Sequence, residues 1–137
     1  MKFLLDECVS PKLVPALRES FRGSDFDSVQ DREWRGTLDH ILFPSAASEG
    51  YEVLVSLDHR ILVDQKERSA LRSSGLHFAA IHRPTDCRGR EYFALTLAQL
   101  VSAVALIHRE HPSAPTLFRL GPVPHERAKR LVTVEHL

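Results

Sequence analysis

Two short apolar runs, each ended by a carboxylate, constrain the fold of this chain most. Met1-Lys2-Phe3-Leu4-Leu5 gives way to Asp6-Glu7, and Val53-Leu54-Val55-Ser56-Leu57 gives way to Asp58. Runs of this length with little polar alternation read as strands buried on both faces of a parallel sheet. In open α/β sheets the ligand crevice lies beyond the carboxyl ends of the strands. A polar residue just past a buried strand therefore stands where such a protein places its chemistry.

The rest of the chain repeats a strand–helix order. Ser10-Pro11 is a helix-start signal, Ser as N-cap and Pro at the first helical position, and Leu13, Val14, Leu17 and Phe21 follow at helical spacing. Asp25–Val29 reads as a second strand, and the polar stretch from Gln30 to Gly36 as a loop. Leu38, Ile41, Leu42 and Ala46 share a face, which predicts a helix from about Leu38 to Glu49 with Pro44 in its first turns. Tyr51–Leu57 is the clearest strand, followed by a short helix from about Gln65 to Ser73 and a strand over Leu76–Ile81. Phe93, Leu97, Leu100, Val101, Val104 and Ile107 make one apolar stripe on the longest helix, about 91–111. Beyond it, residues 112–137 form an extension in which Thr116–Leu120 and Leu131–Val134 are expected as a late hairpin or a docking tail. The order predicts an α/β fold with a mainly parallel sheet, in one domain with its core at about 1–84.

Composition narrows the function. At 137 residues and 43% hydrophobic content there is material for one real core. Lys+Arg and Asp+Glu are both 18, so no overall charge draws the molecule to nucleic acid or an anionic membrane; an RNA would need a local basic patch. Two cysteines, Cys8 and Cys87, make no disulfide framework and read as reduced thiols. The first apolar run is shorter than a signal-peptide core, and no stretch reaches the roughly 18 apolar residues of a membrane span. The expectation is a cytoplasmic protein with no membrane partner.

Asp6, Asp39 and Asp58 are the candidate site residues. Asp6 is poorly explained as a helix cap, because Ser10-Pro11 fills that role four residues later. Asp39, behind Thr37, has a plain structural reading in the first turn of a helix, and Asp58 one in a turn. Their conjunction is what points to function: neighbouring parallel strands are expected to set Asp6 and Asp58 side by side, with the helix start at Asp39 facing them. Crowded carboxylates raise one another's pKa unless a cation neutralises them, and oxygen-only clusters suit Mg²⁺ or Mn²⁺ over zinc.

These residues carry a resemblance. Lys2-Phe3-Leu4-Leu5-Asp6-Glu7 with Ser10-Pro11-Lys12-Leu13 resembles the opening of compact PIN-like domains related to VapC-type toxins. Asp39-His-Ile-Leu, an Ala-containing helix and Val53–Asp58 resemble the later pair of that group, an Asp starting a helix and an Asp ending the next strand. Gln65–Leu71 with Gly75-Leu76 also fits, so the likeness spans about Met1–Pro84. It implies a three-layer sandwich, its central sheet flanked by helices, and a Mg²⁺/Mn²⁺-dependent endoribonuclease that forms the toxin half of a toxin–antitoxin pair. Its implied ligands are Asp6, Asp39 and Asp58, with Ser56 in the place of the usual Thr or Ser. The fourth acidic residue of full-length PIN domains has no clear counterpart; Glu7 is one substitute and Glu67 a more distant one. Arg60, Arg32 and Arg35 are the candidates for holding an RNA backbone. A cognate antitoxin and a homodimer are the implied partners. Two alternatives stay open: a PIN-like binding module without catalysis, and a receiver-type phospho-acceptor. The receiver also has an acidic pair after its first strand, but it needs a lysine at the end of its last one.

Other signals are weaker. His108-x-x-His111 has ligand spacing but no third partner, and Cys87 with His82 falls short of a zinc set. Trp34, between Arg32 and Arg35, is expected to pack on the core.

Overall fold

A computed structural model of the protein describes residues 1–123. The elements run β1 (Lys2–Leu5), α1 (Val14–Ser20), β2 (Asp25–Ser28), α2 (Asp39–Ser48), β3 (Val53–Ser56), α3 (Gln65–Ser74), β4 (His77–Ala80), α4 (Arg90–Glu110) and β5 (Leu117–Arg119). All strand pairs are parallel, in the order β2-β1-β3-β4-β5. The α/β class with a parallel sheet is as the sequence predicts.

Strand alternation builds three layers. Phe3, Leu5, Val53, Val55, Ala79 and Ile81 point to one face, where Leu13, Val14 and Leu17 of the first helical segment and Leu100, Val104 and Ile107 of α4 cover them. Leu4, Leu54, Phe78 and Ala80 point to the other, against Leu42, Phe43 and Ala46 of α2 and Leu71 of α3. α4 is long and apolar enough, by length and composition alone, to cross a membrane. Its apolar stripe is instead spent on the sheet: Leu100, Ala103 and Ile107 are fully buried. Leu100 and Ile107 each contribute about 1.5–3 kcal/mol by leaving water, and Ala103 less.

Local signals end the elements where they should. Ser10 Oγ accepts from the Lys12 N–H, and a short 3-10 turn leads into α1. Asp64 caps α3 through the N–H groups of Lys66 and Glu67, and Gly75, at φ 84°, closes it in the left-handed region that favours glycine.

Three expectations need correction. Leu38 and Ile41 are exposed; α2 buries Leu42, Phe43 and Ala46. Thr37 does not cap α2, whose N-cap position is Leu38 with no side-chain hydrogen bond. Thr116–Leu120 contains β5, which runs parallel to β4 and covers its edge, because α4 carries the chain back along the sheet before the strand begins. Leu131–Val134 lies outside the described residues. The two strand-end aspartates are also not side by side, as follows.

Candidate metal centre

The chain leaves β1 toward β2 and leaves β3 toward β4, so the connections diverge beyond the carboxyl ends of β1 and β3. That divergence opens the crevice in which doubly wound sheets bind ligands. Leu5 pairs with Val55, so Asp6 stands abreast of Ser56, with Asp58 two residues further on. Asp6 and Ser56 share the parity of Leu4 and Leu54, and so turn to the face covered by α2 and α3.

Ser56 joins the two aspartates. Its hydroxyl donates to Asp6 Oδ2 at 2.6 Å and accepts from the Asp58 N–H at 3.0 Å. Asp6 Oδ1 accepts from the Glu7 N–H at 2.7 Å, so both of its oxygens are fixed. Cys8 Sγ lies 3.3 Å from Ser56 Oγ and 3.5 Å from Asp6 Oδ2. Burial, with the charge of Asp6, raises the Cys8 pKa and keeps it a thiol.

α2 and α3 bring two more carboxylates. Asp39 opens α2, and Glu67 stands in the first turn of α3. Asp6, Asp39, Asp58 and Glu67 line one crevice of about 90 Å³, with Glu7 at its rim. Burial and then the charge of Asp6 raise the Asp39 pKa above the ordinary carboxylate value. Burial and then Asp39 raise that of Glu67. Asp58 is the counter-case. Partial burial works to raise it, but the Arg60 N–H, at 2.9 Å, and the guanidinium, at 2.7 Å, outweigh burial and hold it below the ordinary value. Among the described residues Arg60 is the only arginine or lysine lining the crevice.

The donor set fits a hard divalent cation. It is made of carboxylate oxygens, two of them with pKa values raised partly by like charge, the condition such a cation relieves. As they stand, no three His, Cys, Asp or Glu side chains among the described residues form a group that could hold a metal ion. Closure onto an ion would have to draw Asp58 away from Arg60.

The other expected residues are placed differently. Glu7 accepts the Gly36 N–H at 2.8 Å, and its backbone carbonyl accepts from Gln30 Nε2 at 2.8 Å; it clasps the loop between β2 and α2. Glu67, which the sequence presents as an ordinary acidic residue three positions after an Asp cap, is the acid that joins Asp6, Asp39 and Asp58. Arg32 pairs with Glu49 at 3.2 Å and lies over Trp34, 4.7 Å from its ring centre. Glu49 is the C-cap of α2, ten residues from Asp39, or about 15 Å along the helix, so the Arg32 head group sits away from the crevice. Arg35 does not line the crevice either. Trp34 packs against the core beside Tyr51, as expected.

Residues 1–83 match the family model described as PIN like domain. The chain belongs to the PIN-like domain family, a nuclease-type family whose nucleases typically use divalent metals. The match ends in the loop after β4; beyond it α4 packs on one face of the same sheet and β5 adds a strand to its edge. No curated protein and no solved structure matches the chain. A receiver domain is set aside on this family membership. Among the described residues the last parallel strand is β5, which ends at Arg119 and is followed by Leu120-Gly121, without the lysine a receiver requires.

Proposed function

We propose that this protein is a Mg²⁺/Mn²⁺-dependent endoribonuclease that serves as the toxin component of a toxin–antitoxin pair. The observation that carries this reading is the convergence of Asp6, Asp39, Asp58 and Glu67, from four separate elements, on one crevice at the sheet's switch point. A divalent ion bound there supplies Lewis-acid polarisation of a phosphoryl oxygen and a more acidic water. Asp6, Asp39 and Asp58 are its proposed ligands, and Glu67 takes the fourth place in preference to Glu7, whose carboxylate is engaged by Gly36.

The chain's own residues do the positioning. Ser56 fixes the Asp6 carboxylate and the Asp58 backbone together. Arg60, mostly exposed, is placed to exchange its Asp58 partner for an RNA phosphate. Lys66 lines the adjoining groove with Arg60, among the carboxylates of Glu7, Asp39, Asp64 and Glu67, and adds a second amine or guanidinium contact for the RNA backbone. Leu38 and Ile41, exposed beside Asp39, give an apolar rim that an inhibitory antitoxin would cover. A cytoplasmic address and a homodimer belong to the same proposal.

Cleavage of single-stranded and transfer RNA with Mn²⁺, Mg²⁺ or EDTA, by wild type and Asp6→Asn, tests it. Metal-dependent cuts that vanish in the variant are expected. Wild-type protein that binds Mn²⁺ yet cuts nothing would leave a binding module, the reading favoured by the Asp58–Arg60 pair.

A further inference from the structure

A second cavity, of about 460 Å³, opens beside the crevice on the α1/α4 side. Glu7 and Cys8 line both spaces, so the two are neighbours across one wall. The crevice, at about 90 Å³, is the smaller of the two, and its five carboxylates, Asp6, Glu7, Asp39, Asp58 and Glu67, suit a cation. A nucleotide with its phosphate at the crevice has the larger, less charged cavity beside it for its base. The second cavity has the size of a small-molecule site.

Its lining selects the uncharged part of a nucleotide. Leu13, Leu57 and Phe93 give apolar walls, and among the described residues no lysine or arginine lines it. The Glu7 carboxylate on its edge disfavours a phosphate. Tyr92 is the distinctive side chain. Phe93 packs on the core, but Tyr92 belongs to neither core cluster. Among the described residues its ring stacks on no other aromatic side chain and its hydroxyl has no hydrogen-bond partner. Gln30 supplies a polar edge: its Nε2 donates to the Glu7 carbonyl, and its Oε1 has no partner among the described residues.

We propose that this cavity is a nucleobase subsite, taking the base of a nucleotide that flanks the phosphate at the crevice. The base stacks on Tyr92, and Gln30 Oε1 accepts from its amino or ring N–H. The proposal rests on the ribonuclease reading and adds where that enzyme holds its substrate. Aromatic stacking is sequence-tolerant, while a single amide acceptor favours bases that present a donor.

The test is binding of a labelled single-stranded RNA with a hydrolysis-resistant phosphorothioate backbone, followed by fluorescence anisotropy in Mg²⁺. Tyr92→Ala should weaken binding about 5- to 150-fold, the usual range for one stacked base. Tyr92→Phe, which keeps the ring, should stay within about twofold of wild type. Oligonucleotides carrying one abasic position, scanned along the strand, should show one position whose loss weakens wild type and leaves Tyr92→Ala unchanged. Equal binding by wild type and folded Tyr92→Ala would overturn the subsite and leave the nuclease reading intact. If Tyr92→Ala fails to fold, the abasic scan on wild type decides, and a flat scan overturns the subsite. Wild type that binds no RNA at all overturns both.

Discussion

Ser56 is the residue on which the two strand-end aspartates depend, and its removal has a calculable cost. Its side chain is 1% exposed. Ser56→Ala deletes a hydrogen bond to a carboxylate, worth about 1.5–3 kcal/mol, and leaves the Asp58 N–H without its acceptor, worth about 0.5–1.5 kcal/mol. Together these come to about 2–4 kcal/mol. At this chain length, 1 kcal/mol moves Tm by about 3–5 °C, so thermal unfolding in EDTA should fall by about 6–20 °C. Ser56→Thr keeps the hydroxyl and should recover most of the loss. The same change frees Asp6 Oδ2 and the Asp58 turn, so the Kd for Mn²⁺, from calorimetry without RNA, should rise about tenfold, as when a group supporting a ligand is removed. A drop in Tm below about 2 °C would refute the energetic account. Lost stability with unchanged Mn²⁺ affinity would refute the positioning role.

Other perturbations test the electrostatics. Asp39 and Glu67 have raised folded-state pKa values, so they bind protons more readily folded than unfolded, and their ionisation costs stability as pH rises through the carboxylate range. Asp39→Asn and Glu67→Gln should therefore raise Tm in EDTA at neutral pH yet reduce the stabilisation that Mn²⁺ gives wild type, both read by calorimetric scans; a lower Tm in EDTA would contradict the repulsion. Asp58 has the opposite sign: its lowered pKa gives stability that is present above the unfolded value and lost as pH falls through the folded one. His77, 8% exposed, has its pKa lowered by burial, so the unfolded state takes the proton first and stability should decline as pH drops below about 6.5. Its Nδ1 accepts the Thr116 N–H, so the protection factor of the Leu120 amide, which bonds Ala80 across β4 and β5, should fall with acid in wild type and lose that dependence in His77→Gln.

Much of this was legible because parallel strands announce themselves by uninterrupted burial. Phe3-Leu4-Leu5 and Val53-Leu54-Val55 face apolar layers on both sides, and no other environment requires that pattern so directly. The position of Asp6 and Asp58 past those strands then followed from the rule for open sheets. The side-by-side arrangement did not, because register depends on pairing that a sequence does not print. A shift of two residues places Ser56, not Asp58, beside Asp6. α2 was misread on its surface for a related reason: Leu38 and Ile41 satisfy helical spacing, but burial is set by where the sheet lies, and Phe43 took the place predicted for them.

Glu67 shows why the sequence ranks the fourth acid behind Glu7. Locally, Asp64-x-x-Glu67 is a helix start, and a Glu at that position needs no explanation beyond the cap and the dipole. Its other role arises only when α3 packs beside α2 on the same face, bringing two helix starts to the end of β1 and β3. A helix N-terminus favours an acidic side chain, and a crevice at a strand end gathers helix N-termini. The same geometry that makes Asp39 and Glu67 look structural therefore sets their carboxylates into one crevice. Local stabilisation and the assembly of an acidic site are then one arrangement, and each acid's capping explanation is no argument against its place in the site. The separating quantity is the coupling between them: the charge of Asp39 raises the Glu67 pKa, so Asp39→Asn should lower the Glu67 pKa toward its ordinary value, measurable by carboxyl NMR titration. Two acids that merely served their own helices would titrate independently.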